Sequence, residues 1–211
     1  GSNLAFYFQD NYPLSSIVSF DCFRNEKHLS NGNLKSFGHY KNLIGFKGEI
    51  ICGDITNSNN LDRLKEYNFD FIFHHAAISD TQVYDQEIVM KTNINSFYDI
   101  LKIAKNDNAV LVYASSAATY GSQKSPQIVG EENPENPYGF SKYMMDKIAK
   151  SFSDMNPDIL TIPQYFKQNG YETIGVGKIY DPRCVDNDRD KPSWSIPHIK
   201  EGNLEYPSGY Y

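Results

Sequence analysis

Up to about residue 150, short apolar runs alternate with longer stretches in which apolar positions recur at helical spacing. "SSIVSFD" (15–21), "GEIICGDI" (48–55), "FDFIFHHAA" (69–77) and "NAVLVYASS" (108–116) are apolar or β-branched without strict polar alternation. That is the pattern of strands covered on both faces. Helices are predicted between them: "NLAFYFQD" near the start, "NNLDRLKEY" (59–67), "EIVMKTNINSFYDILKIAKN" (87–106), and one opening at Pro137. Strand and helix in alternation imply right-handed crossovers and an α/β, doubly wound parallel sheet. Residues 22–47 break the rhythm, being polar with scattered Gly and Asn, and are expected to form a long excursion holding a short helix. After residue 150 the chain is rich in Pro, Gly, Asp and Tyr, with one short amphipathic helix (Ile162 to Asn169) and one strand (Tyr171 to Val176) expected. A segment so punctuated has little apolar surface with which to build its own core, so it is expected to be the less ordered part.

Composition narrows the function classes. A chain of 211 residues can bury a full core, and one domain with an appendage is expected. The net charge is -6, no Lys/Arg run is present, and nucleic acid is therefore not an expected partner. Cys22, Cys52 and Cys184 are odd in number and widely spaced, which fits reduced thiols and no metal site. No apolar stretch approaches the roughly 20 residues of a membrane span, and no basic-then-apolar leader opens the chain. A cytoplasmic protein without a membrane partner is expected.

In an open parallel sheet, ligands bind beyond the carboxyl ends of the strands, so the residues closing each run carry the candidate chemistry. The first run closes on Asp21, about 20 residues after Gly1, where an acid can accept hydrogen bonds from an adenosine ribose; an Asp there also serves as a turn former. The next closes on "GDI", whose Asp54 and Ile55 stand where an adenine edge would lie, although "GD" is an ordinary turn as well. The third closes on "HHAAIS": Ala76 and Ala77 let backbone approach a cofactor, whereas His74 or His75 reads as a satisfied buried side chain. The fourth closes on "YASSAATYG", with Ser115 and Ser116 where the strand leaves the sheet. Tyr138 and Lys142 follow, four apart at the start of a helix and so on one face. An ammonium there favours the phenolate, bringing a phenol with a free pKa of about 10 toward working pH. A serine hydroxyl at the strand end can then hold a substrate oxygen while Tyr138 exchanges its proton.

Taken together, "YASSAATYG", "NPYGFSK", "NGNLKSFGHYKNL" and "AAISDTQVYDQ" make residues 1 to about 150 resemble the extended short-chain dehydrogenase/reductases, in particular their ADP-heptose 6-epimerase branch. The resemblance implies a Rossmann-like fold and a nucleotide-sugar epimerase using NAD or NADP. It makes Tyr138 the acid/base, Lys142 its activator and Ser116 the hydroxyl holder. It places Gly1, Asp21, Asp54, Ile55, Ala76, Ala77, Ser79, Asn93 and Lys142 around the dinucleotide. Asp21 favours NAD, while Arg24 and Lys27 follow closely enough to accommodate a 2′-phosphate.

Two departures accompany the resemblance. The family's first strand and glycine-rich loop belong ahead of Asn3, with Gly1 alone in the place of the last glycine. After Ser151 the substrate-binding lobe, with its second base, is not recognisable. Instead residues 157 to about 200, "LTIPQYFKQNGYETIGVGKIYDPR" and "PSWSIP", resemble a fragment of an iduronate-2-sulfatase-type sulfatase. Of that family's site residues only a sulfate-contacting lysine has a counterpart, Lys178, and the C-x-P-x-R nucleophile motif is absent. The expected organisation is a truncated NAD(P)-binding domain over 1–150 and a sulfatase-like appendage over 157–211, joined near 151–157. A sulfatase activity, or a noncatalytic chimeric remnant, stand as the alternative functions.

Overall fold

The computed structural model describes residues 1–123, 130–154, 167–176 and 195–199. The chain starts with helix α1 (Ser2–Asn11) and strand β1 (Val18–Asp21). The polar excursion follows, held by an isolated antiparallel bridge between His28 and Leu34 and carrying a 3-10 turn at Tyr40–Leu43, the short helix expected there. Then come β2 (Glu49–Cys52), α2 (Ser58–Asp62) running into a 3-10 turn (Arg63–Glu66), and β3 (Phe71–His74). The long helix expected over 87–106 is three pieces: α3 (Gln86–Met90), a π-helical turn (Lys91–Asn95) and α4 (Ser96–Asp107). Asn108 ends α4 in the left-handed region at φ 55°, the short polar residue that tolerates this cap, and β4 (Val110–Tyr113) begins at once. Helix α5 (Pro137–Asp154) carries Pro at its first position, where the missing N–H has no intrahelical partner to lose.

All strand pairing is parallel, as expected, but the four N-terminal strands do not form one sheet. β1 pairs with β2, Val18 opposite Glu49 through Asp21 opposite Cys52, and β3 pairs with β4, Phe71 opposite Val110 through His74 opposite Tyr113. The two pairs share one core all the same. Ile51, Ile55, Leu61, Leu64, Ile100 and Ile103 pack together against Val18 and Phe20 from one pair and Ile72 and Leu111 from the other. In a doubly wound order of 3-2-1-4-5 the first strand stands between the second and the fourth. No strand among the described residues pairs into that place, so the shared core holds the pairs together without a backbone ladder across them.

A second cluster, Phe97, Leu101, Met145 and Ile148, packs α4 and α5 on Leu111 and Tyr113 of β4. Helix α1 contacts the pairs through its aromatics, Phe8 against Phe73 at 5.2 Å between centroids and Phe6 against Phe46 at 6.0 Å. Toward the C-terminus, the expected strand is β5 (Ile174–Val176), parallel to an unforeseen β6 (Ile196–Ile199) and paired with no other strand among the described residues. Residues 157–166, 177–194 and 200–211 of the predicted sulfatase-like appendage, with part of the expected helix and Lys178, lie outside the described residues.

One glycine sets how closely α5 approaches the turn that follows β4. A Cβ on buried Gly139 would stand 2.5 Å from the carbonyl oxygen of Ala118 and 3.1 Å from its carbon, both backbone atoms with no freedom to give way. Gly139→Ala is therefore expected to destabilise the fold by about 1–3 kcal/mol, the usual range for overpacking, read as a lower midpoint in urea at an unchanged slope.

Candidate active site

The end of β4 and the start of α5 meet in the arrangement the sequence predicts. Asn136 accepts from the Gly139 N–H through its side-chain oxygen at 2.8 Å, setting the first turn of α5. One turn apart on that helix, the Lys142 ammonium lies 6.0 Å from the centroid of the Tyr138 ring, so the pair occupies one face. Lys142 is only 4% exposed, and its Nζ donates to the carbonyl oxygen of Ala114 at 2.7 Å. Burial lowers the pKa of this ammonium, and the charge of Asp146 opposes the shift. Ser116 is half-buried just beyond β4, its hydroxyl oxygen accepting from the Ala118 N–H at 3.2 Å as the cap of a 3-10 turn, Ala117–Tyr120. Ser115 turns the other way and donates to Asp146 Oδ2 at 2.6 Å, while the Tyr113 hydroxyl donates to Asp146 Oδ1 at 2.9 Å.

Asn93 does something other than expected. A π turn carries one more residue than an α turn, and within it Thr92 and Asn93 are both buried. Asn93 is 0% exposed: its Oδ1 accepts from Ile78 N at 2.8 Å, and its Nδ2 donates to Ile78 O at 2.9 Å and Ser141 Oγ at 2.8 Å. Ser141 Oγ in turn donates to Tyr138 O at 2.7 Å. The amide is committed to the protein, so Asn93 fastens the loop after β3 to the first turn of α5 instead of lining a cofactor.

At the other strand ends the acids are engaged as well. Asp21 Oδ1 accepts from Phe23 N at 2.6 Å, with Phe23 at φ 53°, and Gly38 sits against the same carboxylate, where a Cβ would come within 2.6 Å of Oδ1. Arg24 and Lys27 are exposed nearby, Arg24 N donating to Gly38 O and Lys27 O accepting from Lys35 N. Asp54 accepts from Thr56 N and Thr56 Oγ1 and is paired with Lys35 at 3.1 Å. Its pKa is lowered although burial acts in the opposite direction, because the Thr56 and Lys35 contacts together outweigh it. Lys35 belongs to the excursion, inside the stretch "NGNLKSFGHYKNL", but its pairing with Asp54 was not anticipated. Ile55 is 9% exposed with its side chain in the shared core, so only its backbone is left to meet an adenine edge. A cleft of about 300 Å³ opens beside this end, lined by Lys35, Thr56, Asp85, Glu87, Ile88, Lys91 and Thr92, away from Tyr138. Ala76 and Ser79 are exposed and Ala77 half-buried on the loop after β3. Gly1 precedes α1 without a side-chain cap, and the amino terminus lies near enough to His75 to help lower its pKa, after burial.

The sequence profile of the NAD dependent epimerase/dehydratase family matches residues 1–167. The chain belongs to this family. The match continues past residues 151–157, where the sequence reading places a join. The ADP-L-glycero-D-manno-heptose-6-epimerase of Brachyspira hyodysenteriae is 37% identical over 158 residues, 70% of this chain and 48% of that protein. Among solved structures, the ADP-L-glycero-D-manno-heptose-6-epimerase of Helicobacter pylori superposes with a TM-score of 0.66 at 40% identity, over 84% of this chain and 61% of that one. The UDP-glucose 4-epimerase of Brucella ovis, solved in complex with NAD, shares the fold at a TM-score of 0.58 and 21% identity, over 83% of this chain and 47% of that one. The chain thus spans about half to three fifths of the length of these relatives.

The residues present fit the family's dinucleotide at several points. Asp21, Asp54, Ala76 and Ala77 all follow the carboxyl ends of parallel strands, the small side chains leaving backbone open to approach. The first N–H groups of α1 have no side-chain cap and no acidic residue in the first turn, which suits a phosphate. Tyr138, Lys142 and Ser116 stand together where β4 meets α5. Among the described residues no group of three or more His, Cys, Asp or Glu could hold a metal ion, and no helix is long and apolar enough to cross a membrane.

His74 was expected to be buried and satisfied; it is buried, at 6% exposed, stacked on Phe97 at 5.7 Å, but its Nε2 has no hydrogen-bond partner. Burial, then the charges of Lys142 and His75, lower its pKa to about 4 from 6.5. The folded state therefore resists protonation that the unfolded state accepts, so this histidine's contribution is fully present above pH 6.5 and is lost as the pH falls toward 4. The expected loss is on the order of 1 kcal/mol per pH unit across that window. His74→Phe, which keeps a ring on Phe97, should flatten the dependence of urea midpoint on pH between 6.5 and 5; an unchanged slope would show that His74 does not carry it.

Proposed function

We propose that the chain is the nucleotide-binding part of a nucleotide-sugar epimerase that acts on an ADP-activated heptose at carbon 6, using NAD or NADP. The observation that carries the reading is the Lys142 ammonium 6.0 Å from the Tyr138 ring, on a helix face set against the end of β4. The similarity to heptose 6-epimerases at 37% and 40% identity supports the sugar.

When bound, the dinucleotide supplies an acceptor that takes hydride from a sugar carbon and gives it back. Tyr138 takes the proton of the hydroxyl on that same carbon through its phenol oxygen and later returns it. Lys142 brings its positive charge to the helix face that carries the phenol, and the Ala114 carbonyl fixes where that charge sits. Ser116 offers its hydroxyl hydrogen to the sugar oxygen, since its lone pair already serves the Ala118 N–H. Asp21 accepts from the adenosine ribose, and the exposed Arg24 and Lys27 supply positive charge where a 2′-phosphate would lie. The sulfatase reading, with Lys178 as sulfate contact, concerns residues outside the described set and is not part of this proposal.

Titration of the purified chain with NAD and NADP by calorimetry should show binding of one of them; heat from neither would leave the noncatalytic reading in place. Interconversion of the ADP-heptose 6-epimers should fall by about 10²–10⁴-fold in Tyr138→Phe, the usual contribution of a general acid–base group, with dinucleotide affinity kept. Near-full turnover in that variant would exclude the role given to Tyr138.

A further inference from the structure

We propose that Asp146 is a positioning residue for the Tyr138 and Lys142 pair, clamping the exit of β4 onto α5 and serving as the counter-ion of the Lys142 ammonium. The inference deepens the function proposed above and rests on it for its meaning in catalysis, though its geometry stands alone. Asp146 is four residues after Lys142 and eight after Tyr138, so the three side chains share one face of α5. Lys142 and Asp146 together grip three consecutive residues. Tyr113 and Ser115, two apart on an extended segment and so facing the same way, each donate a hydrogen bond to one oxygen of the carboxylate, at 2.9 and 2.6 Å. Between them, Ala114 presents its carbonyl oxygen to the Lys142 ammonium at 2.7 Å. Both carboxylate oxygens are thus spent on the strand exit, and the charge acts on Lys142 through space.

A buried ammonium facing a single carbonyl is costly to keep charged, and the groups around it divide by sign. Asp146 favours the charged form, His74 and His75 lie close enough to feel the Lys142 charge, and the Tyr138 ring covers one side. Around Asp146 stand Tyr113, Ser115, Lys142 and, with like charge, Glu132; burial raises its carboxyl pKa ahead of these contacts. A residue that only tied helix to strand would not govern the protonation of Lys142.

The test is the titration of Lys142 in the intact chain, followed at its ε-carbon by NMR after 13C-labelling of lysine, which requires neither turnover nor a bound dinucleotide. Asp146→Asn keeps the shape and can still hydrogen-bond both hydroxyls but removes the charge. The proton affinity of Lys142 should drop about tenfold, one pH unit, and Asp146→Glu should restore it. A folded Asp146→Asn protein whose Lys142 titrates as in the unaltered chain would overturn the proposal. The unaltered chain gives a second measurement should Asp146→Asn fail to fold. Its Lys142 ε-carbon resonance should move again as Asp146 takes a proton, at a pH above the ordinary carboxylate range, and absence of that step would equally overturn it. Failure of the epimerase reading shows elsewhere, in dinucleotide binding and turnover, so the two outcomes separate.

Discussion

The side-chain amide of Asn93 is the point on which the candidate site hangs. It is fully buried, and it joins three pieces of chain that no strand pairing connects: the loop after β3 at Ile78, the π turn, and the first turn of α5 at Ser141. A buried amide that loses its partners costs about 1–3 kcal/mol for each orphaned group, so these bonds are kept together or lost together. Through Ser141 Oγ the same network reaches the carbonyl of Tyr138, so the backbone that carries the phenol is positioned by a residue 45 places earlier in the chain. The π turn makes this possible, because it is where Asn93 turns inward between two helices that otherwise run on as one.

The order of elements was legible because it rests on local signals. Apolar runs of strand length, a proline opening α5 and the helical spacing of residues 87–106 each mark an element without reference to the rest of the molecule. Tyr138 and Lys142 were legible for the same reason, since a spacing of four on a helix is already geometry. Asp146 was equally available at the next step of that spacing, but its meaning comes from Tyr113 and Ser115 across the strand end, which the helix alone does not reveal. The pairing of Lys35 with Asp54 and the inward turn of Asn93 were not legible: one spans a polar excursion of irregular backbone, and the other depends on a single π turn that shares its residue types with an α-helix. The inward side chain of Ile55 was not legible, because the strand-end position says which edge of the sheet a residue occupies but not which way its side chain points. The division of the strands into two pairs follows from order in space, which alternation along the chain does not encode.

Charge and burial act against each other throughout the site, and the outcome differs by residue. At Asp54 hydrogen bonds and Lys35 overcome burial and hold the carboxyl below its ordinary range. At Asp146 burial prevails although Lys142, Ser115 and Tyr113 all favour the anion. His74 has no compensating hydrogen-bond partner at Nε2, so burial, helped by the charges of Lys142 and His75, keeps it neutral. The positive charge that His74 could add beside Lys142 is thereby removed.

The division of β1, β2, β3 and β4 into two pairs bears on how the molecule meets others of its kind. In a two-stranded sheet every strand is an edge, with one row of N–H and C=O groups outside the ladder, and such rows invite pairing with another chain. Each of these strands is only four residues long, which limits how much ladder a neighbour could add. Mutual repulsion at a net charge of -6 provides the second guard. That guard disappears as the pH approaches the isoelectric point near 5.3 and weakens in salt, so the strand edges are least protected there.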